Sequence, residues 1–73
     1  MKKLRARLIK NDKVINVLHD VTKVEVNEKY GYFEITQHIY HHDLINVVRF
    51  NAVDKVVTMN GITPVKEYTY ESH

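Results

Sequence analysis

Apolar and polar residues alternate along most of this chain with a period of two. Leu4, Ala6 and Leu8 are separated by basic residues, and the same period continues through residues 21–27 and 32–40. This period is typical of β-strands that have one buried and one solvated face. We therefore predict strands in all three stretches.

The first polar interruption predicts a tight hairpin. Asn11-Asp12 is a typical two-residue turn between strands. With that turn, Leu8 would lie opposite Ile15 and Ala6 opposite Val17. All four side chains would share one face, so we predict that this face of the hairpin is buried.

Glycine positions predict two further turns. Gly31 ends the segment EKYG before the strand over 32–40, in which Phe33 and Ile35 should point inward. Asn60-Gly61 is the strongest hairpin signal in the chain. Pro64 follows that turn and cannot donate a backbone hydrogen bond, so we expect its strand at an edge of the sheet.

The segment DLINVVRFNA, residues 43–52, fits two interpretations. Its apolar residues suit one face of a helix that Asp43 could cap. Three β-branched residues within positions 45–48 instead favour a turn at 43–45 followed by the strand VVRF. We adopt the strand and keep a short helix near 43–52 as the alternative.

Composition supports the β interpretation, because Val, Ile and Thr together number 22 against six for Ala and Leu. The chain has no cysteine, which excludes disulfides and thiolate metal sites. Its 73 residues predict a single domain over 1–73 with a thin core. We predict an all-β fold, a small single antiparallel sheet of five to seven short strands folded into a barrel- or sandwich-like domain. The alternative is an α+β fold with one short helix.

The amino-terminal residues MKKLRARLIKND are basic but do not continue into an apolar segment. The longest apolar run that follows is Leu8-Ile9, too short for the core of a signal peptide or for a membrane span. We therefore expect a cytoplasmic protein with no membrane partner.

The segment HIYHHD contains three of the five histidines, His38, His41 and His42. On a helix these three could converge on a metal ion. On a strand, His38 and His42 would share a face about 13 Å apart, with His41 on the other side. We therefore predict no metal site and no cofactor. A metal would need a further ligand or a second chain, and a pH-sensitive edge is a second alternative.

Nucleophiles for catalysis are scarce in this chain. Ser72 is its only serine and lies near the end, and there is no cysteine. Glu25 and Glu34 would lie on a solvated strand face, where they suit partners such as Lys23 and Lys29 rather than acid–base catalysis. We predict that the protein is not an enzyme.

Basic and aromatic residues supply the candidate binding positions. Lys3, Arg5 and Arg7 would project from one strand face about 6.6 Å apart, close to the spacing of nucleic-acid phosphates. Lysine and arginine also commonly guard sheet edges against aggregation. The aromatic candidates, which could stack on bases or pack against a protein, are Tyr32, Tyr40, Tyr68 and Tyr70.

A thin core and more than one sheet edge favour association with another chain. We therefore predict a non-catalytic β interaction module, a homo-oligomer and most simply a dimer, that binds or inhibits another macromolecule. Its composition suits an accessory protein of bacterial or phage type, with a protein as partner. The alternative is a nucleic-acid-binding protein that uses the basic first strand and the surface tyrosines.

Overall fold

A computed structural model describes residues 3–70 as one sheet of six antiparallel strands, with no helix in that range. The strands are β1 (Leu4–Lys10), β2 (Lys13–Asn27), β3 (Tyr32–Ile39), β4 (His42–Arg49), β5 (Lys55–Asn60) and β6 (Thr63–Tyr68). Their order across the sheet is β4-β3-β2-β1-β5-β6. The all-β prediction is therefore confirmed, and the helix considered near 43–52 is wrong. Strands β4 and β6 end the sheet without pairing with each other, so it is not closed into a barrel.

The hairpin turns follow the φ requirements of two-residue loops. The tight turn predicted at Asn11-Asp12 is confirmed, and both residues have the positive φ of a type I′ turn, 52° and 62°. In the last hairpin Asn60 pairs with Thr63, so the loop is Gly61-Ile62, with Gly61 at φ 63°. The Asn60-Gly61 signal thus located the hairpin but placed its centre one residue too early.

Strand β2 is 15 residues long and carries an extra residue at three points. The extra residues are Ile15, one of His19-Asp20, and Thr22, and Asp20 has a φ of 56°. Each such bulge bends a strand and increases its twist. Strand β2 therefore pairs with β1 along its first part and with β3 from Val21 onward.

The bulges also correct the predicted register of the first hairpin. The pairs next to the turn follow the prediction, but beyond Ile15 the partner of Leu8 is Asn16 and that of Ala6 is Leu18. Each extra residue moves the following side chains to the other face. As a result Leu18, rather than Val17, packs against the core.

The core lies on one face of the curved sheet, the inner face, which carries buried Ala6, Leu8, Val21, Phe33, Ile35 and Val56. Residues 50–54 cross this face between β4 and β5, where Val53 is buried. Phe50 stacks on Tyr70 with ring centroids 4.0 Å apart, and Phe33 meets both rings edge-on. This aromatic cluster supplies apolar area that a chain of this size otherwise lacks.

Asp54 fixes the end of the crossing segment to β1. Its backbone N–H donates to the carbonyl of Ile9 at 2.7 Å, and its carboxylate accepts from the backbone N–H of Asn11 at 2.8 Å. The Lys10 Nζ lies 3.3 Å from the same carboxylate. The hydrogen bond from Asn11, followed by the bond to Lys10, lowers the pKa of Asp54 below its ordinary value.

Candidate functional site

Strand β4 is an open edge of the sheet with apolar side chains on both faces. Leu44 on the inner face is 52% exposed, and Ile45 and Val47 on the outer face are 56% and 58% exposed. Outer-face positions of β4 are those opposite Glu34, Thr36 and His38 of β3. This strip, Asp43 to Arg49 of β4, is called the β4 edge below.

The backbone of the β4 edge presents unpaired hydrogen-bonding groups in alternate residues. The turn joins Ile39 to His42, and at the other end the Phe50 N–H donates to the Gly31 carbonyl at 3.0 Å. Even-numbered residues of β4 therefore bond to β3, because hydrogen-bonded and non-hydrogen-bonded pairs alternate in an antiparallel ladder. The backbone groups of the four odd residues, Asp43, Ile45, Val47 and Arg49, consequently point away from the sheet.

A network of side-chain hydrogen bonds links β4 to its neighbour β3 and, through β3, to β2. The Asn46 amide donates to the Ile35 carbonyl at 3.1 Å and to the Gln37 Oε1 at 2.9 Å. The buried Gln37 in turn donates from Nε2 to the His19 carbonyl at 2.8 Å. Because these groups satisfy one another, β4 is held by more than its backbone bonds, and its geometry as an edge is fixed.

The turn that begins β4 has an unusual composition. Tyr40 and His41 are its two central residues, and both have positive φ, 51° and 67°. Tyrosine is uncommon in this region, and a type I′ turn takes Gly and Asn more readily than either Tyr or His. Tyr40 is also 88% exposed, so burial within the chain does not compensate for this conformation. Backbone strain of this kind is concentrated at functional segments of proteins.

The turn corrects the predicted arrangement of the histidines. Because the strand reverses at Tyr40-His41 rather than at 43–45, His38 pairs with Asp43 and Ile39 pairs with His42. His38 is therefore on the outer face and His42 on the inner face, whereas a continuous strand would put both on one face. The His38 Nδ1 lies 2.9 Å from the Asp43 carboxylate. Within residues 3–70, no group of three or more His, Asp or Glu side chains is placed to hold a metal ion.

The basic residues of β1 lie on the outer face at the centre of the sheet, between β2 and β5. An edge-guarding role for them is therefore wrong. Arg5 pairs with Met59, and Arg7 lies between Val17 and Val57. Beside Arg5 is a shallow pocket of about 270 Å³, lined by Lys3, Leu4, Arg5, His19, Asp20, Met59, Asn60 and Gly61. In the described part of the chain neither arginine forms an ion pair.

The four candidate tyrosines are dispersed over the molecule. Tyr32 begins β3 and Tyr40 lies in the turn that follows it, and the Tyr32 hydroxyl accepts a hydrogen bond from the Asn27 amide at 3.1 Å. Tyr68 and Tyr70 pack against the core, and the Tyr70 hydroxyl donates to the Phe50 carbonyl at 3.0 Å. The fold therefore does not gather these rings around the arginines of β1.

The predicted carboxylate pair lies on the outer face, where Glu25 is directly opposite Glu34. Lys23 offsets this repulsion, because its Nζ lies 2.8 Å from Glu25, and that hydrogen bond raises the pKa of Lys23. Lys29 instead lies with its Nζ 5.2 Å from the ring centroid of Tyr30. Ser72 lies outside the described residues.

The β4 edge was not among the predicted binding residues. A signal for it exists in the sequence, since LINVV places apolar residues at both odd and even positions of one strand. Such a run usually indicates burial on both faces. In this fold the strand is at the edge, and the run leaves apolar surface exposed instead.

No helix capable of spanning a membrane occurs in residues 3–70. No protein-family model, curated protein sequence or solved structure matches this chain.

Proposed function

We propose that this protein is a non-catalytic interaction module that binds an extended segment of a protein chain by strand addition at the β4 edge. The observation that supports this most directly is the combination of outward backbone groups and exposed apolar side chains in one strand. In strand addition, backbone hydrogen bonds give affinity and alternate side chains give specificity. Four outward residues and three exposed apolar side chains meet both requirements.

The other unpaired strands are less suitable for such binding. In β6, Pro64 lacks an N–H, and an extra residue at Val65 interrupts the ladder. Among residues 3–70 the first part of β2 pairs only with β1, but its bulges at Ile15 and His19-Asp20 interrupt its series of outward backbone groups. Strand β4 has no register shift against β3 over its whole length.

The proposal is tested by placing a lysine on each edge in turn. Val47 and Val65 are both exposed valines on edge strands, 58% and 54%, so Val47→Lys and Val65→Lys are matched variants. We expect the wild type and Val65→Lys to show a solution mass above 8.7 kDa and to retain protein from nuclease-treated extract of the source cell. Val47→Lys should lose both properties. If Val47→Lys kept the mass and the retained protein of the wild type, β4 would not be the binding edge.

A nucleic-acid-binding function is the second candidate, and the position of Arg5 and Arg7 favours it. Both lie on the outer face of the central strand β1, and Arg5 lines a pocket together with Lys3. Against it, the net charge is only +2, and nucleic-acid-binding domains are usually far more basic. Copurifying material that absorbs at 260 nm, released by salt and lost in Arg5→Glu/Arg7→Glu, would support this function over strand addition.

A further inference from the structure

We propose that the chain which covers the β4 edge is a second copy of the same protein, paired antiparallel about a two-fold axis at Asn46. This inference rests on the proposed function, because it names the occupant of the same edge. The two sheets would join into one continuous sheet of twelve strands. Two features of β4 support this pairing: the residues whose backbone groups point outward, and the order of the side chains along the strand.

The backbone of β4 fits this pairing without adjustment. A two-fold axis perpendicular to the sheet keeps each face on its own side, so residues with the same parity lie opposite each other. With the axis at Asn46, Asp43 lies opposite the partner's Arg49, and Ile45 lies opposite the partner's Val47. These are the residues whose N–H and C=O groups point outward, so each such pair can exchange two hydrogen bonds.

The side chains of the outer face are complementary in the same arrangement. Along β4 this face reads Asp43, Ile45, Val47, Arg49, which is acidic, apolar, apolar and basic. Reversed against itself, this series brings opposite charges together at both ends and apolar residues together in the middle. Opposite charges and β-branched residues are favourable as direct cross-strand pairs.

The inner face agrees with the same axis. Leu44 would lie opposite the partner's Val48, and this contact occurs twice by symmetry. Leu44 is half exposed in the single chain although it lies on the face that carries the core. Val48 already packs against that core, so the pairing would extend the apolar cluster and cover Leu44.

Neighbouring registers lack this complementarity. With the axis at Ile45, Asp43 would lie opposite Val47, and Arg49 would lie opposite His41. With the axis at Val47, Arg49 would lie opposite Ile45, and Asp43 would lie opposite Asn51. Only the axis at Asn46 pairs the aspartate with the arginine, because their residue numbers average to that position.

A charge exchange tests the register. In Asp43→Arg two arginines would face each other at both ends of the interface, and in Arg49→Asp two aspartates would. We expect each single variant to self-associate about tenfold or more weakly than the wild type in sedimentation. A mixture of the two variants restores both opposite-charge pairs, so it should form a heterodimer of near wild-type affinity. The double variant should also recover, and failure of both recoveries would overturn the register.

A cysteine at the axis gives an independent measurement. Opposed residues of a non-hydrogen-bonded pair have Cα atoms about 4.5 Å apart, which is within reach of a disulfide. The chain has no other cysteine, so Asn46→Cys should form a crosslinked dimer under mild oxidation. Leu44→Cys is the control and should crosslink only when mixed with Val48→Cys.

These results separate the register from the proposed function. If Val47→Lys abolishes association but Asn46→Cys does not crosslink and the charge mixture does not recover, the edge is correct and this register is wrong. If the wild type is a monomer while Val47→Lys still loses a captured protein, the occupant is a different chain. Because Asn46 also holds β4 in place, the charge mixture decides the register should Asn46→Cys fold poorly.

Discussion

The two edges of this sheet differ in almost every feature that controls pairing with another strand. The β4 edge has exposed Leu44, Ile45 and Val47 and pairs regularly with β3 along its whole length. The β6 edge has Pro64 as its second residue and an extra residue at Val65. Proline, bulges and lysines are the features by which soluble proteins prevent edge strands from adding to one another.

The difference supports β4, rather than β6, as the edge of the proposed pairing. In β6 the turn bonds Asn60 to Thr63, so the missing N–H of Pro64 falls on the open side, where it blocks a partner without weakening the bond to β5. Lys66 adds a charge to the same strand. Strand β4 contains no proline, lysine or bulge. An edge left in this state is expected to aggregate unless another chain covers it, and the proposed pairing supplies that cover.

The largest effect is expected from placing a proline in β4, at a position where it blocks the open edge as Pro64 does in β6. The N–H of Val47 points to the open side, so Val47→Pro leaves the bonds between β4 and β3 intact. In the proposed dimer it removes two hydrogen bonds, each worth about 1 kcal/mol, and weakens association by roughly 30-fold or more. Sedimentation should show a monomer of 8.7 kDa at concentrations where the wild type is a dimer.

The reverse change serves as its control. Pro64→Thr restores an N–H on the open side of β6 but leaves the bulge at Val65. We expect its mass to match that of the wild type, since one restored donor does not repair the ladder. Equal masses for Val47→Pro and the wild type would show that the contrast between the edges has no consequence in solution.

A second difference lies in how each edge strand is fastened to the sheet. Strand β4 is held by the Asn46 amide, which donates to Gln37 and Ile35. Strand β6 is held by the Thr58 hydroxyl, which donates to the Lys66 carbonyl at 3.2 Å. Asn46→Ala leaves the buried Gln37 without a partner for its Oε1 and should cost about 1–3 kcal/mol.

Thr58→Val removes one hydrogen bond with little change of shape and should cost about 0.5–1.5 kcal/mol. Urea unfolding of both variants at a fixed protein concentration measures the two costs. A smaller loss for Asn46→Ala than for Thr58→Val would contradict the view that the amide network holds β4.

The turns that lead into the two edges provide a third contrast. Tyr40 and His41 hold positive φ without the freedom of glycine, whereas the turn before β6 uses Gly61. Replacement of Tyr40-His41 by Asn-Gly should raise the free energy of unfolding by roughly 1–2 kcal/mol, because the strain is relieved. Thermal unfolding at a fixed concentration is the measurement.

Gly61→Ala is the matched control for this prediction. An added Cβ at Gly61 has no atom within 4 Å, so the loss of about 1 kcal/mol expected there is purely a backbone effect. If Asn-Gly at positions 40–41 lowered stability, the side chains of Tyr40 and His41 would be contributing contacts that outweigh their backbone strain.

Local patterns predicted most of the strands, and they predicted the inward side chains of β3 correctly. Alternation placed Phe33 and Ile35 in the core, where both are fully buried, and the turn predicted at Asn11-Asp12 is present, with positive φ at both residues. Pro64 correctly indicated an edge, since its missing N–H excludes the centre of a sheet. Each of these features follows from a single residue type or from the two-residue period of a strand.

Features that depend on pairing across the sheet could not be predicted in this way. No characteristic residue type marks the bulge at Ile15 in the sequence, yet this bulge changed the partners of Ala6 and Leu8. Tyr40-His41 lacks the usual residue types of a type I′ turn, so the turn was placed too late, and His38 and His42 were assigned to the same face. The strand order, which makes β1 central and β4 an edge, determines the candidate site and is set by long-range packing.

The smallest effect on stability is expected at Asp54, which joins the end of the segment 50–54 to β1. The Asn11 N–H and Lys10 stabilise its ionised form, so the pKa of Asp54 is lower in the folded state than the 3.8 of the unfolded chain. A group with a lowered folded pKa stabilises the fold fully above the unfolded pKa and loses that contribution as the pH falls through the folded value. Asp54→Asn should therefore melt slightly below the wild type at neutral pH, with the difference shrinking below pH 3.8. A difference that stayed constant at low pH would mean that the charge of Asp54 contributes nothing, and that its hydrogen bonds alone secure this side of the sheet.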